Sequence, residues 1–226
     1  MGFHVAILTE AGSTRGYGHL ARCCALYDAL DELGAFPELL IRGEAPHHIV
    51  GARSFRTTEW ASDAAATQLL ANADAAIVDS YEADATTYAA VERAVRAAAY
   101  LDDGQRIAYL SGLVVNGSPA ATDTLYPGAD SRELLVGVTF QPLRREFWDV
   151  PSRPACRDSL ARVLVVFGGT DFGGLRDSVV AALSEAYPDV ELDIVDAPRT
   201  ALEMCDSMSA ADAAVTSAGQ VLYELA

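Results

Sequence analysis

Short apolar runs that end in polar residues, spaced by segments with helical periodicity, constrain this chain more than any other feature. His4-Val5-Ala6-Ile7-Leu8 reads as a buried strand, being short, apolar and bounded by a Gly/Ser/Thr cluster. Over residues 19–33 the apolar positions Leu20, Cys23, Leu26, Tyr27, Leu30 and Leu33 recur at three- and four-residue steps. That spacing predicts an amphipathic helix, closed by Gly34. Residues 36–41 form a second strand candidate, and residues 68–72 end a helix ahead of the strand Ala75-Ala76-Ile77-Val78-Asp79. Residues 84–96 read as helix and 97–101 as a strand ending in Asp102-Asp103, followed by strands at 112–116 and 134–137. Strands alternating with helices in this way predict βαβ units and a parallel sheet. The polar residues gather where strands end, at Thr9-Glu10, Asp79-Ser80-Tyr81, Asp102-Asp103 and Asn116. Ligands of open α/β sheets bind beyond the carboxyl ends of the strands, so these positions are the first functional clue.

The rhythm breaks at residues 147–162, where Pro151, Pro154 and several charges predict an inter-domain linker. A new cycle then starts with the strand Val163-Leu164-Val165-Val166-Phe167 and the loop Gly168-Gly169-Thr170-Asp171. A helix over 175–187, a strand over 190–195 and a short strand at 213–216 follow, and Ser217-Ala218-Gly219-Gln220 opens another helix. The expected organisation is therefore an N-terminal Rossmann-like domain (1–146), a linker (147–162) and a partial C-terminal nucleotide-binding domain (163–226). Three strands stopping inside a helix read as a truncated domain. Its unpaired strand edge and apolar helix faces predict a chain that associates with itself or is marginally stable.

Charge and cysteine content exclude several function classes. The net charge is -16 and all 16 basic residues are arginine, a balance that repels nucleic acid and anionic lipid. No apolar run reaches the roughly 18 residues of a membrane span, and the N-terminus has no basic leader, so a cytoplasmic location is expected. Cys23, Cys24, Cys156 and Cys205 form no C-x-x-C pair and have no histidine at metal-ligand spacing. They read as reduced structural thiols, with Cys23 and Cys24 expected on different sides of their helix. His47 and His48 read as surface residues of a loop.

Gly12-Ser13-Thr14-Arg15-Gly16-Tyr17-Gly18-His19 is the strongest local signal, lying between the first strand and the first helix. Glycines there let backbone N–H groups approach a ligand, and the helix N-terminus favours phosphate. The segment is neither the G-x-G-x-x-G dinucleotide fingerprint nor a P-loop. A tight turn with a capping histidine fits the pattern equally well. Gly168-Gly169-Thr170-Asp171 and Ser217-Ala218-Gly219-Gln220 have the same placement in the second half, with Glu224 one turn further on.

In this order the motifs resemble the MurG-like glycosyltransferase superfamily of GT-B fold, and within it the PseG-like UDP-sugar hydrolases of pseudaminic acid synthesis and their spore-coat-polysaccharide relatives. Gly16-Tyr17-Gly18-His19-Leu20-Ala21-Arg22-Cys23 is similar to the family's G-x-G-H-x-x-R-C/D segment, and Val78-Asp79-Ser80-Tyr81 to its D-x-Y strand end. Leu101-Asp102-Asp103, Val114-Val115-Asn116 and the stretch from Gly137 to Leu143-Arg144-Arg145-Glu146-Phe147 match three further elements. Phe167-Gly168-Gly169-Thr170-Asp171 and Ser217-Ala218-Gly219 with Glu224 complete the set. The chain departs from the pattern after the first strand, where Leu8-Thr9-Glu10-Ala11-Gly12 stands in place of Arg-x-Asp-x-Ser. Glu10 replaces the aspartate, and the arginine has no counterpart.

The resemblance implies an α/β, GT-B-like fold of two Rossmann-like domains facing a cleft, and hydrolysis of a UDP-linked sugar by water at the anomeric carbon. It implies His19 as general base, with Tyr81 and Asp79 orienting sugar or water. Gly16, Gly18 and Asn116 are implied on the substrate, Gly168, Gly169, Thr170, Ser217, Gly219 and Gln220 around the diphosphate, and Glu224 on the ribose hydroxyls. It implies no cofactor and no metal. Glycosyl transfer from the same donor, and nucleotide-sugar binding without catalysis, stay open as alternatives. For Asp102 and Asp103 a strand-end cap is as good a reading as a catalytic one.

Overall fold

The structure is a computed structural model that describes residues 2–109, 111–127, 132–151, 159–167, 174–217 and 219–226. The chain divides into two compact units, Met1–Pro142 and Leu143–Ala226. The first holds β1 (His4–Ala11), α1 (Gly18–Glu32), β2 (Phe36–Gly43), α2 (His47–Val50), β3 (Phe55–Thr57), α3 (Asp63–Leu69) and β4 (Ala75–Asp79). It continues with α4 (Ala85–Ala94), β5 (Ala97–Leu101), β6 (Gly112–Asn116) and β7 (Arg132–Val136). These seven strands form one parallel sheet in the order β3-β2-β1-β4-β5-β6-β7. The order reverses between β1 and β4, which makes their carboxyl ends the topological switch point of the sheet.

The alternation of side chains along β1 explains why Val5, Ala6, Ile7 and Leu8 are all apolar. Val5 and Ile7 pack with Leu20, Cys23, Cys24, Leu39 and Ile41 on one face. Ala6 and Leu8 pack with Leu40, Trp60, Val78 and Tyr100 on the other. A sheet buried on both faces has no solvent side on which polar residues would be tolerated. Cys23 and Cys24, expected on different sides of α1, are both buried in the same cluster. Adjacent helical positions lie 100° apart, and an apolar stripe of that width holds both. Among the described residues Cys23, Cys24 and Cys205 form no disulfide.

One sequence expectation changes here, and one strand was not anticipated. His47 and His48 are exposed as expected, but they open the short helix α2 and do not lie in a loop. Pro46 is the N-cap of that helix, with an extended backbone of φ -65 and ψ 132. The three residues of β3, all exposed, extend the sheet edge without any apolar alternation that could announce them.

Gly43 shows how tightly the carboxyl edge of this sheet is built. It ends β2 beside Ala11, has φ +105, and a Cβ placed on it would lie 2.2 Å from the Ala11 carbonyl oxygen. Gly43→Ala is therefore expected to cost about 2–4 kcal/mol through backbone strain and overlap together. Denaturant unfolding checks this, and a midpoint equal to that of the wild type would overturn it.

The second unit contains β8 (Arg162–Val166), α5 (Leu175–Ala186), β9 (Glu191–Ile194), α6 (Ala201–Ala210), β10 (Ala213–Thr216) and α7 (Gln220–Glu224). Its sheet is parallel, in the order β10-β8-β9. Leu164 and Val166 of the central strand pack against Met204 and Met208 of α6. Phe147, placed by the sequence at the head of a linker, packs against this core, and the Cys205 thiol donates to the Glu146 carbonyl at 3.3 Å. Helix α6 carries a start signal that the sequence reading passed over. Thr200 and Glu203 form a reciprocal capping box, three residues apart. Among the described residues no helix is long and apolar enough to cross a membrane.

Candidate functional site

Polar burial in the first unit is concentrated at the carboxyl edge of its sheet. Thr9, Glu10, Asp79, Ser80, Asp102 and Asn116 at strand ends, and His19 and Arg22 in the first turns of α1, are all buried. Elsewhere among the described residues of this unit the buried side chains are apolar apart from Thr87. Buried polar groups destabilise a fold unless they are hydrogen-bonded, so such a concentration calls for partners.

The glycine-rich segment is held in shape by carboxylates from neighbouring loops. Gly12 and Gly16 exchange backbone hydrogen bonds, Gly12 N–H to Gly16 O at 3.2 Å and Gly16 N–H to Gly12 O at 2.8 Å. Gly16 has φ +77, a conformation that favours glycine. Glu44 accepts from the Ser13 amide at 3.1 Å and from the Tyr17 hydroxyl at 2.6 Å. Glu82, in the loop after β4, pairs with Arg15 and with Arg42. Helix α1 then begins at Gly18 with no side-chain cap and no acidic residue in its first turn. A Cβ on Gly16 or Gly18 would meet nothing within 4 Å, so both glycines border open space.

At the switch point Thr9 of β1 is paired with Asp79 of β4. Asp79 is fully buried and receives three hydrogen bonds from charged or chargeable groups. His19 Nδ1 lies 2.6 Å from its Oδ1, Arg22 Nη2 donates to the same oxygen at 2.6 Å, and Arg22 Nε donates to Oδ2 at 2.5 Å. Burial raises the Asp79 carboxyl, but the Arg22 charge and hydrogen bonds, with those of His19, more than reverse this and hold it at about 2. Burial likewise opposes the Arg22 charge, and Asp79 and Asp103 overcome it, raising the guanidinium well above its usual value.

An ionised carboxylate only accepts hydrogen bonds, so the proton of a neutral His19 sits on Nδ1 and the lone pair on Nε2. The Arg22 Nη2 contact with His19 Nδ1, at 3.3 Å, then joins two N–H groups and is a packing contact. The result is an imidazole oriented by a buried carboxylate and retaining 9% side-chain exposure. This is the arrangement a general base needs.

Tyr81 flanks this imidazole. Its ring meets the His19 ring edge-on, with centroids 4.2 Å apart and planes at 88°. Its hydroxyl donates to Asp103 Oδ2 at 2.7 Å, and burial together with this bond raises the phenol above its usual range. Tyr81 is therefore a neutral donor already engaged, and its contact with His19 is through the ring. Arg22 Nη1 donates to Asp103 Oδ1 at 2.8 Å. Glu10, which stands where the family pattern has aspartate, accepts from the Ser80 hydroxyl and the Tyr81 amide, both at 2.7 Å. It ties the end of β1 to the loop after β4.

Asn116 belongs to a neighbouring network. Its Oδ1 accepts from the Ser118 amide at 3.0 Å, and its Nδ2 donates to the Tyr126 hydroxyl at 2.9 Å. Tyr126 in turn donates to Asp102 Oδ2 at 2.6 Å. Both ends of the amide are used within the fold.

In the second unit, Gly168, Gly169 and Thr170 lie outside the described residues. Ser217 is exposed, Gly219 precedes α7 with φ +132, and Gln220 is that helix's first residue. Glu224 differs from a solvated helix residue. Its side chain has no exposed surface, and both oxygens accept from Arg144, Oε1 from Nε and Oε2 from Nη2, each at 2.6 Å. Arg22 and Arg144, the two arginines that order these carboxylates, were not singled out as site residues by the sequence. The signal was present, since each sits inside a quoted motif. Among the described residues no cluster of three or more His, Cys, Asp or Glu side chains could hold a metal ion.

Fold and site together define an α/β protein of GT-B-like architecture, with a histidine–carboxylate pair at the switch point of its larger sheet. Among solved structures the chain is similar to MurG from Acinetobacter baumannii, with a TM-score of 0.53 and 11% identity over 97% of this chain and 74% of that one. It also overlaps a nucleoside-diphosphate-sugar epimerase from Pseudomonas aeruginosa, with a TM-score of 0.35 and 18% identity. That overlap covers 55% of this chain and 43% of the epimerase. No protein-family model matches the sequence, and no curated protein matches it.

Proposed function

We propose that this chain is a nucleotide-sugar hydrolase that releases UDP from a UDP-linked amino or deoxy sugar. The observation that carries the reading is the His19 imidazole, held by ionised Asp79 with its lone pair on Nε2. In the proposed step a water oxygen bonds to the anomeric carbon while its proton passes to Nε2. The bond from that carbon to the β-phosphate oxygen breaks, and UDP leaves with the electron pair. Attack opposite the leaving group inverts the anomeric centre. UDP is already a good leaving group once its charge is met by backbone amides, so positioning and electrostatics supply most of the acceleration.

Gly16 and Gly18, beside the uncapped start of α1, are suited to close approach of a sugar or phosphate. By resemblance the diphosphate is assigned to Gly168, Gly169, Thr170, Ser217, Gly219 and Gln220, and the ribose to Glu224. A ribose reaches the Glu224 carboxylate only if Arg144 yields part of its hold. Asn116, with its amide engaged at both ends, supports the substrate side indirectly.

Glycosyl transfer is the second reading, favoured by a fold shared with MurG along nearly the whole chain. The same base would then deprotonate an acceptor hydroxyl. Phosphorus NMR of the chain with a panel of UDP-linked and other nucleotide-linked sugars, in oxygen-18 water without acceptor, separates the readings. Free UDP with the label on the anomeric oxygen is the expected result. Release only after an acceptor is added would replace hydrolysis with transfer. Binding without release, unchanged in His19→Ala, would reject both in favour of a binding protein.

A further inference from the structure

The adjacent carboxylates after β5 have different kinds of partner. Asp102 is buried, and its partners include the Gly104 amide at 3.4 Å, the Gln105 amide at 3.0 Å and the Tyr126 hydroxyl at 2.6 Å. All lie in the loops that follow β5 and β6. Gln105 takes φ +54, the one positive φ outside glycine among the described residues, and the bond from its amide to Asp102 helps hold it there. Asp102 thus fixes the turn that carries Asp103.

Asp103 keeps a third of its side chain exposed, and both of its partners touch the base. Arg22 grips Asp79, and Tyr81 lies edge-on to His19. The contacts close a ring, from His19 through Asp79, Arg22, Asp103 and Tyr81 back to His19. Arg22 comes from α1 and Tyr81 from the loop after β4, and Asp103 is the group that ties one to the other. Without it the Tyr81 hydroxyl, on a residue 55% exposed, has water as its alternative partner, and the ring loses its tether against the imidazole. Burial raises the Asp103 carboxyl, but hydrogen bonds from Arg22 and Tyr81 bring it below its usual value, so the tether stays charged near neutral pH.

We infer that Asp103 is a positioning residue for His19, acting through Arg22 and Tyr81, and that Asp102 serves only to hold the turn beneath it. That His19 acts as a base rests on the proposed function; its positioning by Asp103 does not. Nitrogen-15 and proton spectra of the His19 ring, recorded on the full chain, test it directly. In Asp103→Ala both tethers are lost, and the His19 ring resonances are expected to move while the thermal midpoint changes little. Turnover is expected to fall about tenfold, the lower end of what loss of an outer partner costs, with KM within about threefold. Tyr126→Phe is expected to do the reverse, lowering the midpoint and leaving the His19 resonances in place.

Unmoved His19 resonances in Asp103→Ala would overturn the inference, whatever the activity. Should that variant fail to fold, Tyr81→Phe removes only the hydroxyl and must move the same resonances, or the inference falls. Shifted resonances in a protein that hydrolyses no nucleotide sugar would leave the positioning intact and remove the proposed function instead.

Discussion

His19→Asn is expected to lower the turnover of a UDP-linked sugar roughly 10²- to 10⁴-fold, the usual contribution of a general base. Asparagine is the informative replacement because its amide nitrogen falls near the position of Nδ1. The hydrogen bond to Asp79 Oδ1, 2.6 Å in the wild type, can then persist. What disappears is the lone pair at Nε2, the only chemistry the proposal asks of this side chain. The ion pairs of Arg22 with Asp79 and Asp103 need no rearrangement, so the fold is expected to survive. KM is expected to change far less than kcat, since water activation matters in the transition state and little in the ground state. Steady-state release of UDP checks this. A variant within threefold of wild-type kcat would remove His19 from the base role and leave the histidine as a helix-start residue packed on Asp79.

Much of this architecture was legible because both faces of the larger sheet are covered. A strand such as β4, with Val78 in one core and Ile77 packed against the other, must be apolar at successive positions, and its one tolerated polar residue is the Asp79 that ends it. The strands β4, β5 and β6 therefore stand where the sequence put them. Exposed and polar elements left no such trace. The three residues of β3 bury nothing, and α6 is announced by its capping box more than by its length. At the site, residue types were visible and their pairings were not. Nothing in the spacing of Arg22, Asp79 and Asp103 says that one guanidinium spans both carboxylates, because the contact joins α1 to the ends of two strands more than fifty residues on. Arg144 and Glu224 pose the same problem across 80 residues. The sequence suggested a carboxylate open to a ribose, and the fold holds that carboxylate buried against an arginine.

The Asp79–Arg22 pair is also where the first unit is most vulnerable, and Asp79→Asn is expected to destabilise it by roughly 3–5 kcal/mol. The carboxylate and the guanidinium are each desolvated, with 1% and 9% of their side chains exposed. Desolvation of both charges is offset only while both are present. Asparagine keeps the shape but offers one oxygen where Arg22 and His19 together present three donors, and its amide hydrogens face N–H groups. Arg22 would retain Asp103 alone, across a single bond from Nη1. The amide could also donate to Nδ1, driving the histidine proton to Nε2, so activity is expected to fall even in whatever fraction remains folded.

The pH dependence supplies an independent check. Asp79 is held at about 2 in the folded chain, below its value when unfolded. A group depressed on folding contributes stability that is complete above its unfolded value and is lost as pH falls through the folded one. The wild type is therefore expected to lose about 2 kcal/mol between roughly pH 4 and pH 2 from this residue, a loss that Asp79→Asn cannot show. Trp60, fully buried with its indole donating to the Thr9 carbonyl at 2.9 Å, reports on this unit once Trp148 is changed to phenylalanine. Urea titrations followed by Trp60 fluorescence, from pH 7 down to pH 3, should give wild-type and variant curves that converge with acidification. Parallel curves would mean that the stability of this unit does not depend on the charge of Asp79, and the account of the site as a desolvated ion pair orienting a base would fail with it.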